Sequence, residues 1–297
     1  DCKKFVEINK DNIELNINGK KSILISHYRL KKGENNIQMI IKNQISNLQY
    51  MFDSCKQLTN INELKYLNIN NCNNFSNIFR RCSLLSNITS LQKWNVSKVN
   101  NFSGMFRECS SLNDIKPLEK WNVLGAQSFS NMFRDCSSLT NIKPLEKWDV
   151  SNCNDFSRMF ARCSSLSDIH PLEEWNISNA NNLNGMFYEC IKLSDIRPLE
   201  KWNVSNGNDF SYMLGGCKSL SNIKPLENWN VSNCTNFSSI FCRCLLSDIK
   251  PLEKWNVSNG NNFSYMFYGC NSLTNIKPIG NWDVSNSQDF TEMFAGI

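Results

Sequence analysis

Apolar and polar positions along this chain repeat on a fixed ruler. Trp94, Trp121, Trp148, Trp175, Trp202, Trp229, Trp255 and Trp282 are 27 residues apart, except for one step of 26. From the tryptophan, a unit reads as it does at 94–120: WNVSKVNNFSGMFRECSSLNDIKPLEK. Phe102, Met105, Phe106 and Cys109 are spaced i, i+3, i+4, i+7, which predicts one face of a short helix. Leu112 and Ile115 follow in a polar-interleaved stretch that predicts a strand, closed by Pro117 because proline cannot donate into a ladder. Each unit therefore reads as strand, turn, short helix, turn. Such a period means one unit copied and stacked, a solenoid in which neighbours cover each other's apolar faces. Degenerate copies precede the tryptophans, with Ile78–Phe79 and Met51–Phe52 in the Met-Phe place and Cys82 and Cys55 in the Cys place. The short step falls in CRCLLSDI at 242–249, which lacks one serine of the usual CSSL.

Residues 1–45 do not repeat. Ile13, Leu15 and Ile17 alternate, Asn18-Gly19 offers a tight hairpin turn, and Ile23 and Ile25 alternate again. Ile37, Met39 and Ile41 supply a third alternating run. This predicts a small β cap at 1–45 ahead of a solenoid at 46–297. The fold class expected is α/β: a leucine-rich-repeat-like solenoid of strand–turn–short helix units with a small N-terminal β cap. The last unit stops at Ile297, in the cysteine position, and leads to an expectation of missing sequence, a partner, or a frayed last turn.

Charge adds little. Thirty-two basic and 27 acidic residues are interspersed, for a net charge of +5. That is a mildly basic solvated surface, too weak to argue for nucleic acid. No apolar run approaches the roughly 18 residues of a membrane span.

The words WNVSKVNNFSGMFRECSSL at 94–112 and WNVSNGNNFSYMFYGCNSL at 255–273 resemble the BspA-like leucine-rich repeat family, the DUF285 group. The resemblance covers roughly residues 46–297. It implies a leucine-rich-repeat-like solenoid, and its better-known members are surface proteins that bind host or matrix proteins. This chain departs from it in carrying I-x-P-L-E-K-W where members usually have L-x-L-S-x-F, and no binding residue transfers one by one.

Most recurring residues have structural explanations. Cys55, Cys82, Cys109, Cys136, Cys163, Cys190, Cys217, Cys244 and Cys270 lie one per unit. A zinc site needs closer spacing, and nine equivalent residues cannot pair within one row, so small buried hydrophobes are expected. Cys72, Cys153 and Cys234 recur every third unit. The tryptophan row reads as indoles stacked inside the turn, with a sugar platform as the alternative. Asn or Asp follows each tryptophan and is expected to satisfy turn amides. His27 and His170 stand in unrelated settings. No acid pair, nucleophile elbow, phosphate loop or metal motif appears, so no enzyme, cofactor or metal is expected.

The candidate contact row lies on the exposed side of the expected strand. Asp114 and Lys116 flank Ile115 and point away from it. The pattern recurs at Asn141/Lys143, Asp168/His170, Asp195/Arg197, Asn222/Lys224, Asp248/Lys250 and Asn275/Lys277. Two functional readings follow. One is a non-enzymatic protein-binding module, probing a protein partner through the strand face as a surface or adhesion module. The other is a scaffold or assembly subunit that self-associates through its repeats and open end. Neither involves nucleic acid or a membrane span. The family points to the cell surface or secretion. The unpaired cysteine row and the Asn-x-Ser/Thr sequons, Asn95, Asn101, Asn203 and Asn262 among them, leave a cytoplasmic setting as the alternative.

Overall fold

The structure, a computed structural model, describes residues 3–26, 28–29 and 31–297. His27 lies outside the described residues. The N-terminal segment opens with helix α1 (Lys3–Asn9), which the hydrophobic pattern does not announce. Three strands follow: β1 (Ile13–Ile17), β2 (Lys20–Ile23) and β3 (Ile37–Ile41). They form an antiparallel sheet in the order β2-β1-β3. Asn18 and Gly19 make the β1–β2 turn, with φ of 53° and 82°, the left-handed pair that a two-residue hairpin requires. Ile13 and Leu15 are buried, whereas every residue of β3 is exposed.

The rest of the chain is a regular stack of rungs. Successive rungs meet at one parallel bridge each, from Asn47↔Asn74 through Asn101↔Ser128 to Asn262↔Asp289. One row of short 3-10 helices, with Lys116–Leu118 and Lys143–Leu145 as examples, runs along one edge. The core is continuous: Phe102, Met105, Phe106, Cys109, Leu112, Ile115 and Leu118 are buried, as are their equivalents in the middle of the array, whereas toward its ends Cys55 is only partly buried and Ile276 and Phe290 are exposed.

The local structure differs from the strand–turn–helix unit expected. Phe102, Met105, Phe106 and Cys109 do point inward together, but no helix forms there. Their segment is a ribbon of successive turns, closed by Met105 N–H to Phe102 O, Arg107 N–H to Gly104 O and Cys109 N–H to Phe106 O. The amides that a helix would use internally go to the next rung instead. Phe102, Gly104, Phe106 and Glu108 donate to the carbonyls of Ser128, Ser130, Met132 and Arg134 at 2.7–3.0 Å. Gly104 and Glu108 sit at φ +62°, and their equivalents, including Asn131, Arg158, Tyr212 and Arg243, are also left-handed. Positive φ at the third position is what a type II turn demands and what a helix forbids. Likewise Leu112 and Ile115 belong to no strand; Ile115 leads directly into the 3-10 turn, where proline is tolerated because its missing N–H is not needed.

Two side-chain rows splice the rungs. Each indole N–H donates to a leucine carbonyl of the preceding rung, as in Trp94 to Leu64, at 2.9–3.1 Å. The indoles pack against a phenylalanine of their own rung, as Trp94 does on Phe75 at 5.2 Å, and a stacked indole pair occurs at Trp121–Trp148. The tryptophan row is therefore an internal splice rather than a column of stacked indoles. Each thiol of the Cys row from Cys82 to Cys270 donates to a carbonyl one rung back at 3.0–3.2 Å; the acceptor is a phenylalanine except for Cys244, which donates to Leu214, the residue in the phenylalanine place. All described cysteines but Cys55 and Cys242 are buried.

The first rung has no preceding rung to donate to its carbonyls. Asn9 of α1 is buried and its Nδ2 donates to Asn47 O at 3.2 Å, in the place where Leu48 N–H meets Asn74 O one rung on.

Candidate functional site

Asn and Asp oxygens organise the edge that carries the candidate row. In each unit the Oδ1 of the residue before the isoleucine, which is buried except at Ile276, accepts the N–H two residues on. Asp114 holds Lys116 in this way, Asp168 holds His170, Asp195 holds Arg197 and Asp248 holds Lys250. Asn141, Asn222 and Asn275 hold Lys143, Lys224 and Lys277, and all seven bonds are 2.8–3.0 Å. These are Asx turns, and they feed the chain into the 3-10 turn. The acceptor half of the row thus has one oxygen committed to the backbone. The strand face expected for it is a turn edge, although Asp114 and Lys116 remain exposed on either side of buried Ile115.

The cation heads differ in their company. Arg197 folds back on Asp195, with Nε to Oδ2 at 2.9 Å. His170 Nδ1 lies 2.8 Å from Asp168 Oδ1. Lys224 pairs with Glu227, which also receives Lys254 at 3.3 Å. These lysines hold the Glu227 carboxyl below its ordinary range, Lys224 first. The backbone N–H of His170 lowers Asp168, and the Arg197 guanidinium lowers Asp195. Between rungs the edge carries shallow depressions. One of about 360 Å³ is lined by Lys143, Glu146, Asp168, His170 and Glu173 among others, and one of about 280 Å³ by Asp114, Lys116, Glu119 and Lys120 among others.

Sequence reasoning missed the acidic members of this edge. Glu119, Glu146, Glu173 and Glu227 come three residues after the basic position, so they return beside it after one 3-10 turn. Their i, i+3 spacing from the basic residue is the signal that would have placed them. The edge is a row of mixed charge rather than a cationic stripe.

The turns after the tryptophans behave as expected from their Asn and Asp. Asn95 Oδ1 accepts Ser97 N–H at 3.2 Å and Asp149 Oδ1 accepts Ser151 N–H at 3.1 Å. Among the described residues no group of three or more His, Cys, Asp or Glu is placed to hold a metal ion. No helix among them is long and apolar enough to cross a membrane.

A family model described as "Mycoplasma protein of unknown function, DUF285" matches three stretches, 46–169, 127–251 and 221–297. The chain belongs to the DUF285 family. The matches together span the stacked array, so the DUF285 repeat accounts for the rungs and leaves α1 and the β1–β3 sheet outside it. No curated protein matches this DUF285 chain.

Proposed function

We propose that the chain is a non-enzymatic protein-binding module, of the surface or adhesion type that the BspA-like resemblance implies. Its partner docks along the turn edge bearing Lys116, Lys143, His170, Arg197, Lys224, Lys250 and Lys277. The observation that carries this reading is the set of Asx turns. Each clamps the backbone of one exposed basic residue at a fixed place in its rung, so the row is ordered before any partner arrives. Pre-ordering removes part of the entropic cost of association. Alternating carboxylates beside the cations favour selectivity for a complementary protein surface over indiscriminate attraction to a polyanion.

The test is capture of surface or matrix proteins by the immobilised chain and by the Lys116→Glu/Lys143→Glu/Arg197→Glu/Lys224→Glu variant. Capture lost in the variant, with an unchanged circular dichroism spectrum, supports the row as the docking edge. Equal capture by both proteins removes it.

Self-assembly is a second reading. It is favoured by the apolar residues that the small sheet leaves outside, Ile23, Ile37, Ile40 and Ile41. Light scattering over a concentration series separates the two: a strict monomer at the highest concentration eliminates assembly.

A further inference from the structure

In a copied array, the positions that are not copied carry whatever is specific to this chain. In the word F-S-x-M-F-x-x-C the three x positions lie on the outer side of the turn ribbon. Over four successive rungs they collect Arg80, Arg81, Arg107, Arg134, Arg158 and Arg162. Most of these guanidinium groups have acceptors. Arg80 grips buried Asp53 with two bonds of 2.7 Å. Arg81 donates to Glu108 at 3.1 Å, Arg162 to Glu189 at 2.8 Å, and Arg158 to Asn184 at 3.1 Å. Arg134 donates to Asp135 at 3.2 Å and weakly to Asn131 at 3.4 Å.

Arg107 is the exception. Its Nε is buried without a hydrogen-bond partner, although it lies 3.1 Å from Glu108 Oε1. Glu108 is shared with Arg81. Burial, and after it the nearby Arg134 charge, lowers the Arg107 pKa. Arg107 and Arg134 border a depression of about 470 Å³, lined also by Glu108, Ser110, Asp135 and Arg162. Its three guanidinium groups face two carboxylates that already bind guanidinium, which leaves a positive excess and spare N–H donors.

We propose that this depression is an oxyanion site that takes the phosphate or sulfate ester group of a ligand between Arg107 and Arg134, with Arg162 at the rim. A tetrahedral oxyanion offers several acceptor oxygens, so it can serve two planar guanidinium forks together, and arginine is the residue suited to that geometry. An adjoining depression shares Arg134 and Arg162 and is walled by Tyr188 and Tyr212. Those rings meet edge to face at 5.5 Å, and Arg162 lies over Tyr188 at 5.8 Å. This aromatic wall receives the organic part of the ester, and an aryl or sugar ring fits its chemistry. The site lies on the turn ribbon and uses none of the basic residues assigned to protein docking.

Calorimetric titration at low salt with inorganic phosphate, phenyl phosphate and phenyl sulfate tests the assignment. Saturable binding is expected, weakened roughly tenfold or more in Arg107→Gln/Arg134→Gln, since both guanidinium groups lose their charge-assisted bonds to the oxyanion. The Lys116→Glu/Lys143→Glu variant should bind as the wild type does, so this outcome is independent of the docking edge. Tighter binding of the phenyl esters than of inorganic phosphate, lost in Tyr188→Ala, assigns an organic ester. Equal binding assigns the free ion to the same site. Removing Arg107 relieves like-charge crowding, so the double variant should fold, which thermal unfolding checks. No saturable binding up to about 10 mM, or binding unchanged in the folded double variant, overturns the proposal.

Discussion

The indole Nε1 of Trp148 donates to the carbonyl oxygen of Leu118 at 3.1 Å, from one rung to the rung before it. Leu118 is fully buried, so its carbonyl has no water to turn to. The bond recurs at each tryptophan, which explains why the ruler is kept in tryptophan and not in another large aromatic.

Trp148→Phe keeps an aromatic ring against Phe129 but removes the donor. Leu118 O keeps the Trp121 N–H at 3.1 Å, so the loss is that of one net hydrogen bond, about 0.5–1.5 kcal/mol, and the smaller ring adds to that. Urea unfolding followed by fluorescence of the remaining indoles should show a midpoint shift of that sign. A change within about 0.5 kcal/mol, the range of an inert surface substitution, would mean the indole bond is dispensable.

The buried thiols predict instability at alkaline pH. Burial pushes Cys72 up to about 11 and Cys153, Cys234 and Cys270 to about 12, from an ordinary value of 9.0. Above pH 9 the unfolded chain loses thiol protons that the folded chain keeps, so the unfolded state binds fewer protons and stability falls as pH rises. The stabilisation is complete below pH 9 and is lost progressively toward 11–12. Each buried thiol adds about 1.4 kcal/mol per pH unit to the slope within that window. Denaturant midpoints measured between pH 8 and 10.5 should drop steeply, and a flat profile would contradict the burial of these thiols.

Backbone handedness gives a third expectation. Gly216 has φ +75°, and a Cβ there would lie 2.8 Å from Glu189 Cγ and 3.3 Å from its Cα. Gly216→Ala should therefore lower stability by about 1–2 kcal/mol, more than Ala would cost in a right-handed turn. Neighbouring rungs carry Glu189 and Arg243 at the same place with positive φ, so the array tolerates this strain at single rungs. Thermal melts of Gly216→Ala beside an exposed control such as Lys218→Ala make the comparison. Equal melting temperatures would refute the assignment.

The inward rows were legible from the period alone, because burial follows position in a copied unit. The small sheet was legible from its alternation and from Asn18-Gly19. The path between buried residues was not. A ribbon of turns presents Phe102, Met105, Phe106 and Cys109 to the core just as a helix would, so spacing cannot separate the two. What separates them is the destination of the amides: Phe106 N–H goes to Met132, 26 residues on, and no local pattern records that bond. A weaker signal was present in the glycines at 104, 185, 216 and 269, which suit left-handed turns and disfavour helix. Asp114 was legible as exposed, but its bond to the Lys116 amide shows only in three dimensions. The arginine edge escaped because its members occupy positions that the repeat leaves blank.

The rung that lacks a serine carries a broader consequence. There the indole and thiol bonds span 29 residues, Trp255 to Leu226 and Cys270 to Phe241, instead of 30, and their lengths of 2.9 and 3.1 Å are unchanged. Adjacent copies recognise each other's inner rows and are indifferent to the number of residues between them. Unequal recombination within the gene could then add or delete whole copies and alter only the reach of the protein, while the seams between copies stay chemically identical.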